Sequence, residues 1–316
     1  MPRRSVLAVD IGATKTLLAV RSMDELDVGW QPAREVLRVD TPADPGDLVS
    51  WIARAVERLG ANGRLAAVGI AAPGPVDAAT GVVTRSSNLG WSDVPLAAML
   101  GERFGIPAAL DDDANTAALG EWSFGAGGGA DPFAYLTVSS GIGGGIIVGG
   151  QVVRGATGNA GEVGHIVINP AGPACSCGRR GDVESYAGGV SLARRARLAW
   201  PAPELPDGRP APRTAADVFR AARGGEAAAA AIVAEADTAL ATAFAALASV
   251  IEPSVIVVGG SIGLGQRRFV RRAVRLARRR VMAENGRSLR VEPAALGEES
   301  VLAGAASFAL RLLPTR

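Results

Sequence analysis

The chain has 316 residues, 48% of them hydrophobic, and a formal net charge of +2. A chain this long buries a large core and favours two domains over one, while near-neutrality argues against a nucleic-acid partner. No apolar run reaches the ~20 uninterrupted residues of a membrane span, and the opening MPRRSVLAVDIG is too short for a secretory signal, so a cytoplasmic protein with no membrane partner is expected.

SVLAVDIGATKTLLAVRS (5–22) reads as strand, glycine turn and strand. LVSWIARAVERLG carries a helical period, LAAVGIAAPGPV a strand ending in a Pro/Gly turn, and PLAAMLGERFG a second helix. PAALDDDANTAALGEWSFG is a strand running into a helix. FAYLTVSSGIGGGIIVGGQVV (133–153) repeats the opening plan, which suggests a duplicated α/β domain. WPAPELPDGRPAPR (200–213), with five prolines, predicts an extended surface loop. The alanine-rich stretch 214–251 is helical with a break at RGGE, and PSVIVVGGSIG is a strand feeding a glycine turn. QRRFVRRAVRLARRRVMA then sets eight arginines around a stripe of Phe269, Val270, Val274 and Val281. In a nearly neutral chain that pattern predicts the solvated face of a docked helix.

Three features carry chemistry. DIGATKT, SSGIGGG and VVGGSIG each follow a strand, and three such turns together point to backbone nests for phosphate, although none is a Walker motif or a clean dinucleotide fingerprint. LDDDANTAALGE places three aspartates at a strand–helix junction. A helix cap accounts for one, and buried carboxylates without partners are costly, so the others mark a site. GHIVINPAGPACSCGRRGDVES (164–185) holds the only histidine, His165, and the only cysteines, Cys175 and Cys177, with Asp182 where a fourth metal ligand would stand. Cysteines one residue apart argue against a disulfide and for thiols free to bind metal. Glu162 and His165, spaced i, i+3, would share one side of a helical turn. Lys15 is the one lysine among 33 basic residues, which singles it out as a position where arginine is not equivalent.

In this order the motifs resemble the ROK family (repressors, open reading frames and sugar kinases) from Val6 to the C-terminal helix. The resemblance implies the two-domain α/β fold of the actin, hexokinase and Hsp70 ATPases: duplicated ribonuclease H-like domains with an interdomain cleft. A small domain over 1–112 and 299–316 and a larger one over 113–298, with a zinc-module-like loop at 165–182, are expected. Asp113 aligns with the family's catalytic aspartate, the general base toward a sugar hydroxyl. Asp10 matches the acid near the magnesium-bound phosphates. Gly12, Thr14, Lys15, Ser140, Gly141 and Gly143 would line the phosphates of ATP, and Gly259 and Gly260 would lie against adenosine. Asn88, Asp112, Asn115, Glu162, His165 and Glu184 fall at sugar-binding positions. His165, Cys175, Cys177 and Asp182 match the zinc module.

Three departures stand out. Asp182 replaces the family's third cysteine, which leaves either a weaker zinc site or an aspartate paired with Arg179 or Arg180. Asp112 replaces an asparagine, so an acceptor-only group stands beside Asp113, where it should raise the pKa of one of the pair or alter substrate contact. Ser139 adds bulk where the family has glycine. The resemblance implies an ATP-dependent kinase for a hexose, glucose first, with Mg²⁺, structural Zn²⁺ and a homodimeric or homotetrameric state. The alternatives are a kinase for another sugar or a cyclitol, such as N-acetylmannosamine, fructose or a carbasugar, and a non-catalytic sugar sensor. A ROK repressor is disfavoured because the first strand begins near Val6, without a preceding helix-turn-helix.

Overall fold

The computed structural model describes residues 4–32, 35–205 and 208–314, and the chain forms two compact units. The first runs to Ala130, resumes over Gly145–Gly161 and closes with the segment from Ala294; the second comprises Asp131–Gly144 and Glu162–Pro293.

In the first unit, β1 (Ser5–Ile11) and β2 (Lys15–Ser22) form the opening hairpin, followed by α1 (Met23–Val28), β3 (Leu37–Asp40), α2 (Pro45–Arg58) and β4 (Leu65–Ala72). A small sheet of β5 (Val76–Asp77), β6 (Val82–Ser86) and β7 (Trp91–Val94) precedes α3 (Leu96–Phe104), β8 (Ala108–Asp112) and α4 (Asp113–Phe124). The main sheet runs β3-β2-β1-β4-β8, antiparallel on one side of β1 and parallel on the other.

The later part of the chain begins with β9 (Phe133–Val138), β10 (Ile142–Val148) and β11 (Gln151–Val152), then a 3-10 turn at Val163–His165. Next come α5 (Val183–Ala187), α6 (Gly189–Ala199), α7 (Ala215–Arg223), α8 (Ala227–Val250), β12 (Val255–Gly259), α9 (Ser261–Gly265), α10 (Arg267–Arg278), α11 (Ala283–Ser288), β13 (Val291–Pro293) and α12 (Ser300–Arg311). The second sheet runs β11-β10-β9-β12-β13, with β12 parallel to both neighbours. One strand plan therefore occurs twice, as the two strand–turn–strand segments predict.

Alternation along β1 explains how the first unit holds its sheet. Leu7, Val9 and Ile11 join Val68 and Ile70 against Leu48, Ile52 and Val56 of α2 and Leu100 of α3. Val6 and Ala8 face the other way, onto Leu302, Ala303 and Ala306 of α12. Strands covered on both faces read as continuous apolar runs, as VLAV and AAVGIAA do. The expected boundary after Asp112 moves because α4 packs along α12 and so belongs to the first unit. That helix contact is close: a β-carbon on Gly304 would fall inside the carbonyl of Thr116. Alanine normally favours a helix interior over glycine by ~1 kcal/mol, yet Gly304→Ala is expected to destabilise by about 1–3 kcal/mol, read as a lower urea midpoint. A raised midpoint would show that the helices separate at little cost.

Two other expectations change in detail. The proline-rich loop is not simply a surface loop, since Leu205 and Ala211 are buried in it. In the arginine-rich helix the buried positions are Phe269, Ala273 and Ala277, and Val281 lies beyond its end. Helix α8 is long and apolar enough to cross a membrane by length and composition. Its buried face, with Ile232, Ala236, Leu240 and Phe244, packs against α5, α7 and α10, so its apolarity serves the core of this unit.

Candidate functional site

The first glycine turn closes on itself: Gly12 N donates to the Lys15 carbonyl at 2.8 Å. Thr41, which the sequence reading missed, fastens the turn, its hydroxyl donating to Gly12 O at 2.8 Å and its amide to Thr14 O at 3.1 Å. Thr14 and Lys15 are exposed, as is Asn88 in the turn before β7. Asp10, half-buried at the end of β1, is raised to about 7 by desolvation and then by the charge of Asp113, against the pull of Lys15. A carboxyl so placed is readily ionised by an arriving cation.

The three aspartates have three different surroundings. Asp111 is 1% exposed and pairs with Arg154, whose Nη2 and Nε lie 2.7 and 2.8 Å from Oδ2. Asp112 caps α4: Oδ1 accepts from the Asn115 amide at 2.8 Å, and Oδ2 accepts from Asn115 Nδ2. Burial, then the Asp111 charge, push its carboxyl well above the usual range, with Asp113 a lesser cause. Asp113, in the first turn of α4, is the exposed one. Asn115 is wholly buried, donating to Asp111 Oδ1 at 3.1 Å as well as to Asp112. The structure thus turns Asn115 inward, where it braces its neighbours, and commits both Asp112 oxygens to that brace. Sequence reasoning missed Arg154, whose pairing depends on the tertiary fold.

In the second unit the SSGIGGG turn is joined to α6, with Gly189 N donating to Ser139 O at 2.8 Å and Val190 N to Ser140 O at 2.9 Å. At Gly141 the Glu184 carboxylate occupies the space a β-carbon would take; Glu184 Oε2 accepts from Ile142 N at 2.8 Å, and its other oxygen from Ser176 Oγ at 3.2 Å. Gly143 lies in β10 beyond this turn. The additional hydroxyl of Ser139 lies 3.1 Å from Ser261 Oγ, just past Gly259 and Gly260. Ser139, Ser140, Ser261, Ile262 and the start of α7 line a cavity of about 520 Å³.

The opening of α5 gathers the four metal-ligating candidates. His165 Nδ1 lies 3.1 Å from Asp182 Oδ2 and 3.8 Å from Cys175 Sγ, and Cys177 Sγ is 3.6 Å from Asp182 Oδ2. One donor atom from each residue falls within 4.8 Å of all the others. The donor set and spacing fit a tetrahedral zinc ion. His165 Nε2 faces the other way, 3.9 Å from Glu162, the i, i+3 partner. Asp182, 1% exposed, also caps α5, its Oδ1 accepting from Ser185 N at 2.7 Å. Burial alone would raise this carboxyl, but hydrogen bonds from Cys175, the Ser185 amide and His165 hold it below the ordinary range. Arg179 and Arg180 are exposed and, among the described residues, form no ion pair with Asp182. Burial and then Asp182 push the Cys175 thiol up to about 12, so metal uptake must expel its proton. Elemental analysis is expected to find about one zinc per chain, lost in Cys175→Ser. Absence of zinc from the fully active protein would show that Asp182 ended the site.

The family model described as "ROK family" matches residues 6–311. A glucokinase of Thermotoga maritima is 34% identical over 83% of this chain and 83% of its own. The crystal structure of a ROK hexokinase from Thermus thermophilus superposes with a TM-score of 0.81 and 33% identity over 98% of each chain. A ROK family glucokinase from Streptomyces griseus, solved with glucose and AMPPNP, gives a TM-score of 0.74 and 33% identity, covering 97% of this chain and 99% of that one.

Proposed function

The chain belongs to the ROK family, and from that membership we propose that it is an ATP-dependent glucokinase with Asp113 as general base. The observation that carries the reading is the similarity, over nearly the whole chain, to a glucokinase crystallised with glucose and an ATP analogue. Asp113 takes the proton of the attacking sugar hydroxyl as its oxygen bonds to the γ-phosphorus and the bond to the ADP oxygen breaks. Catalysis of this kind is mainly positioning and charge neutralisation. By the family resemblance Gly12, Thr14 and Lys15, and likewise Ser140, Gly141 and Gly143, would line the phosphates, and Asp10 would stand near the magnesium that the phosphates carry. The 520 Å³ cavity beside Ser139 and Ser261 suits the nucleoside. Asn88, Glu162, His165 and Glu184 offer directional partners for sugar hydroxyls. His165, Cys175, Cys177 and Asp182 would hold a structural zinc ion that orders the loop and activates no water.

Asp112 and Asp182 depart from the family's pattern. Both serve as helix caps, which gives each a task unrelated to substrate choice and favours glucose. A coupled ADP-release assay over hexoses, amino sugars and cyclitols is expected to give glucose the highest kcat/KM. Another winner would overturn the substrate, and no ADP release with any acceptor would overturn the kinase reading.

A further inference from the structure

Arg154, in the segment after β11, belongs to the first unit together with the aspartate run. Its Nη2 and Nε both meet Asp111 Oδ2, at 2.7 and 2.8 Å, while the guanidinium carbon lies 5.6 Å from the centroid of the Phe308 ring on α12. The other Asp111 oxygen accepts from Asp112 N at 2.9 Å and from Asn115 Nδ2 at 3.1 Å. Those two donors stand on either side of Asp113, the first residue of α4. One carboxylate, 1% exposed, therefore connects Arg154 to the backbone before the proposed base and to the side chain after it. The surroundings are crowded with negative charge. Asp111 is second only to burial in raising the Asp112 carboxyl, and Asp113 acts on both Asp112 and Asp10. Lys15 offsets part of this at Asp10, and Arg154 offsets it at Asp111. Arg311, close enough to feel the charge of Arg154, donates instead to Gly150 O at 3.0 Å. A buried carboxylate stripped of its counter-ion is costly and takes up a proton, which leaves it fewer lone pairs for its donors.

We propose that Arg154 is a positioning residue for phosphoryl transfer: by keeping Asp111 anionic it fixes Asp112 N and Asn115, and so aims the Asp113 carboxylate at the acceptor hydroxyl. The inference rests on the kinase reading with Asp113 as base. Arg154 acts through Asp111, to which its Nη2 and Nε are committed, and it takes no part in binding the sugar or the nucleotide. A charge-assisted pair of this kind holds its geometry more firmly than neutral hydrogen bonds would.

Arg154→Ala is expected to lower kcat by about 10- to 100-fold, as a small misplacement of a reacting group does, with KM for ATP and for glucose within about twofold of the parent. Turnover is measured at a temperature where the variant is folded, so that a plain loss of stability does not enter kcat. In an Asp111→Asn background there is no buried charge to neutralise, and adding Arg154→Ala is expected to change kcat by less than about threefold. Hydrogen exchange at residues 112–116 is expected to quicken by about tenfold or more in Arg154→Ala, a readout that needs no turnover. A parent-like kcat in Arg154→Ala, unchanged exchange, or the same loss of kcat in both backgrounds would overturn the proposal and leave the kinase reading standing. No ADP release by the parent chain with any acceptor would end the kinase reading, and this role with it.

Discussion

Asp113→Asn is expected to lower kcat for sugar phosphorylation by about 10²- to 10⁴-fold, the range that a positioned general base contributes. The substitution preserves size and removes only the basic oxygen. It also leaves the local structure its supports, because the helix start is capped by Asp112 and braced by Asn115, while Arg154 holds Asp111 behind them. The urea midpoint and the KM for ATP should therefore stay close to those of the parent chain. That combination separates a lost proton acceptor from a damaged helix, since a structural role would move the midpoint as well. Turnover near that of the parent would remove Asp113 from the base role.

Glu121→Ala is expected to cost about 3–5 kcal/mol of stability, the largest structural effect predicted for a single side chain. Glu121 is fully buried in α4, where its carboxylate accepts from Ala126 N at 2.9 Å, Ala295 N at 3.0 Å, Leu296 N at 2.9 Å and Ser300 Oγ at 2.8 Å. One acidic side chain thus satisfies donors from the loop after α4 and from the approach to α12. Alanine would leave those donors buried and unpaired. Glu121→Gln keeps the volume and one acceptor oxygen, so its urea midpoint should fall less. Equal midpoints for the parent and both variants would show that water replaces the carboxylate at little cost.

Glu121 also marks where the sequence stops being legible. Nothing in ALGEWSF distinguishes it from a solvated helix glutamate, because its donors lie far along the chain. Arg154, Thr41 and Ser176 were missed for the same reason. Local pattern served better elsewhere: the strand–turn–strand units, the break at RGGE and the coming together of His165, Cys175, Cys177 and Asp182 are all found in the structure. The aspartate run lies between these cases. A cap explains one acid, as expected for a helix start, and that acid is Asp112. A buried ion pair explains Asp111, which left Asp113 as the exposed carboxylate. The inward turn of Asn115 was not foreseeable from a motif that places it among sugar contacts.

Asp182 has an implication for how this loop tolerates change. Its two oxygens perform separate tasks, one on the Ser185 amide and one toward His165 and Cys177. Exchanging it for cysteine would give a softer, better zinc donor and remove a helix cap worth ~1 kcal/mol. Affinity and folding would then move in opposite directions, so reverting to the three-thiolate arrangement would carry a penalty unless a neighbouring residue first took over the cap.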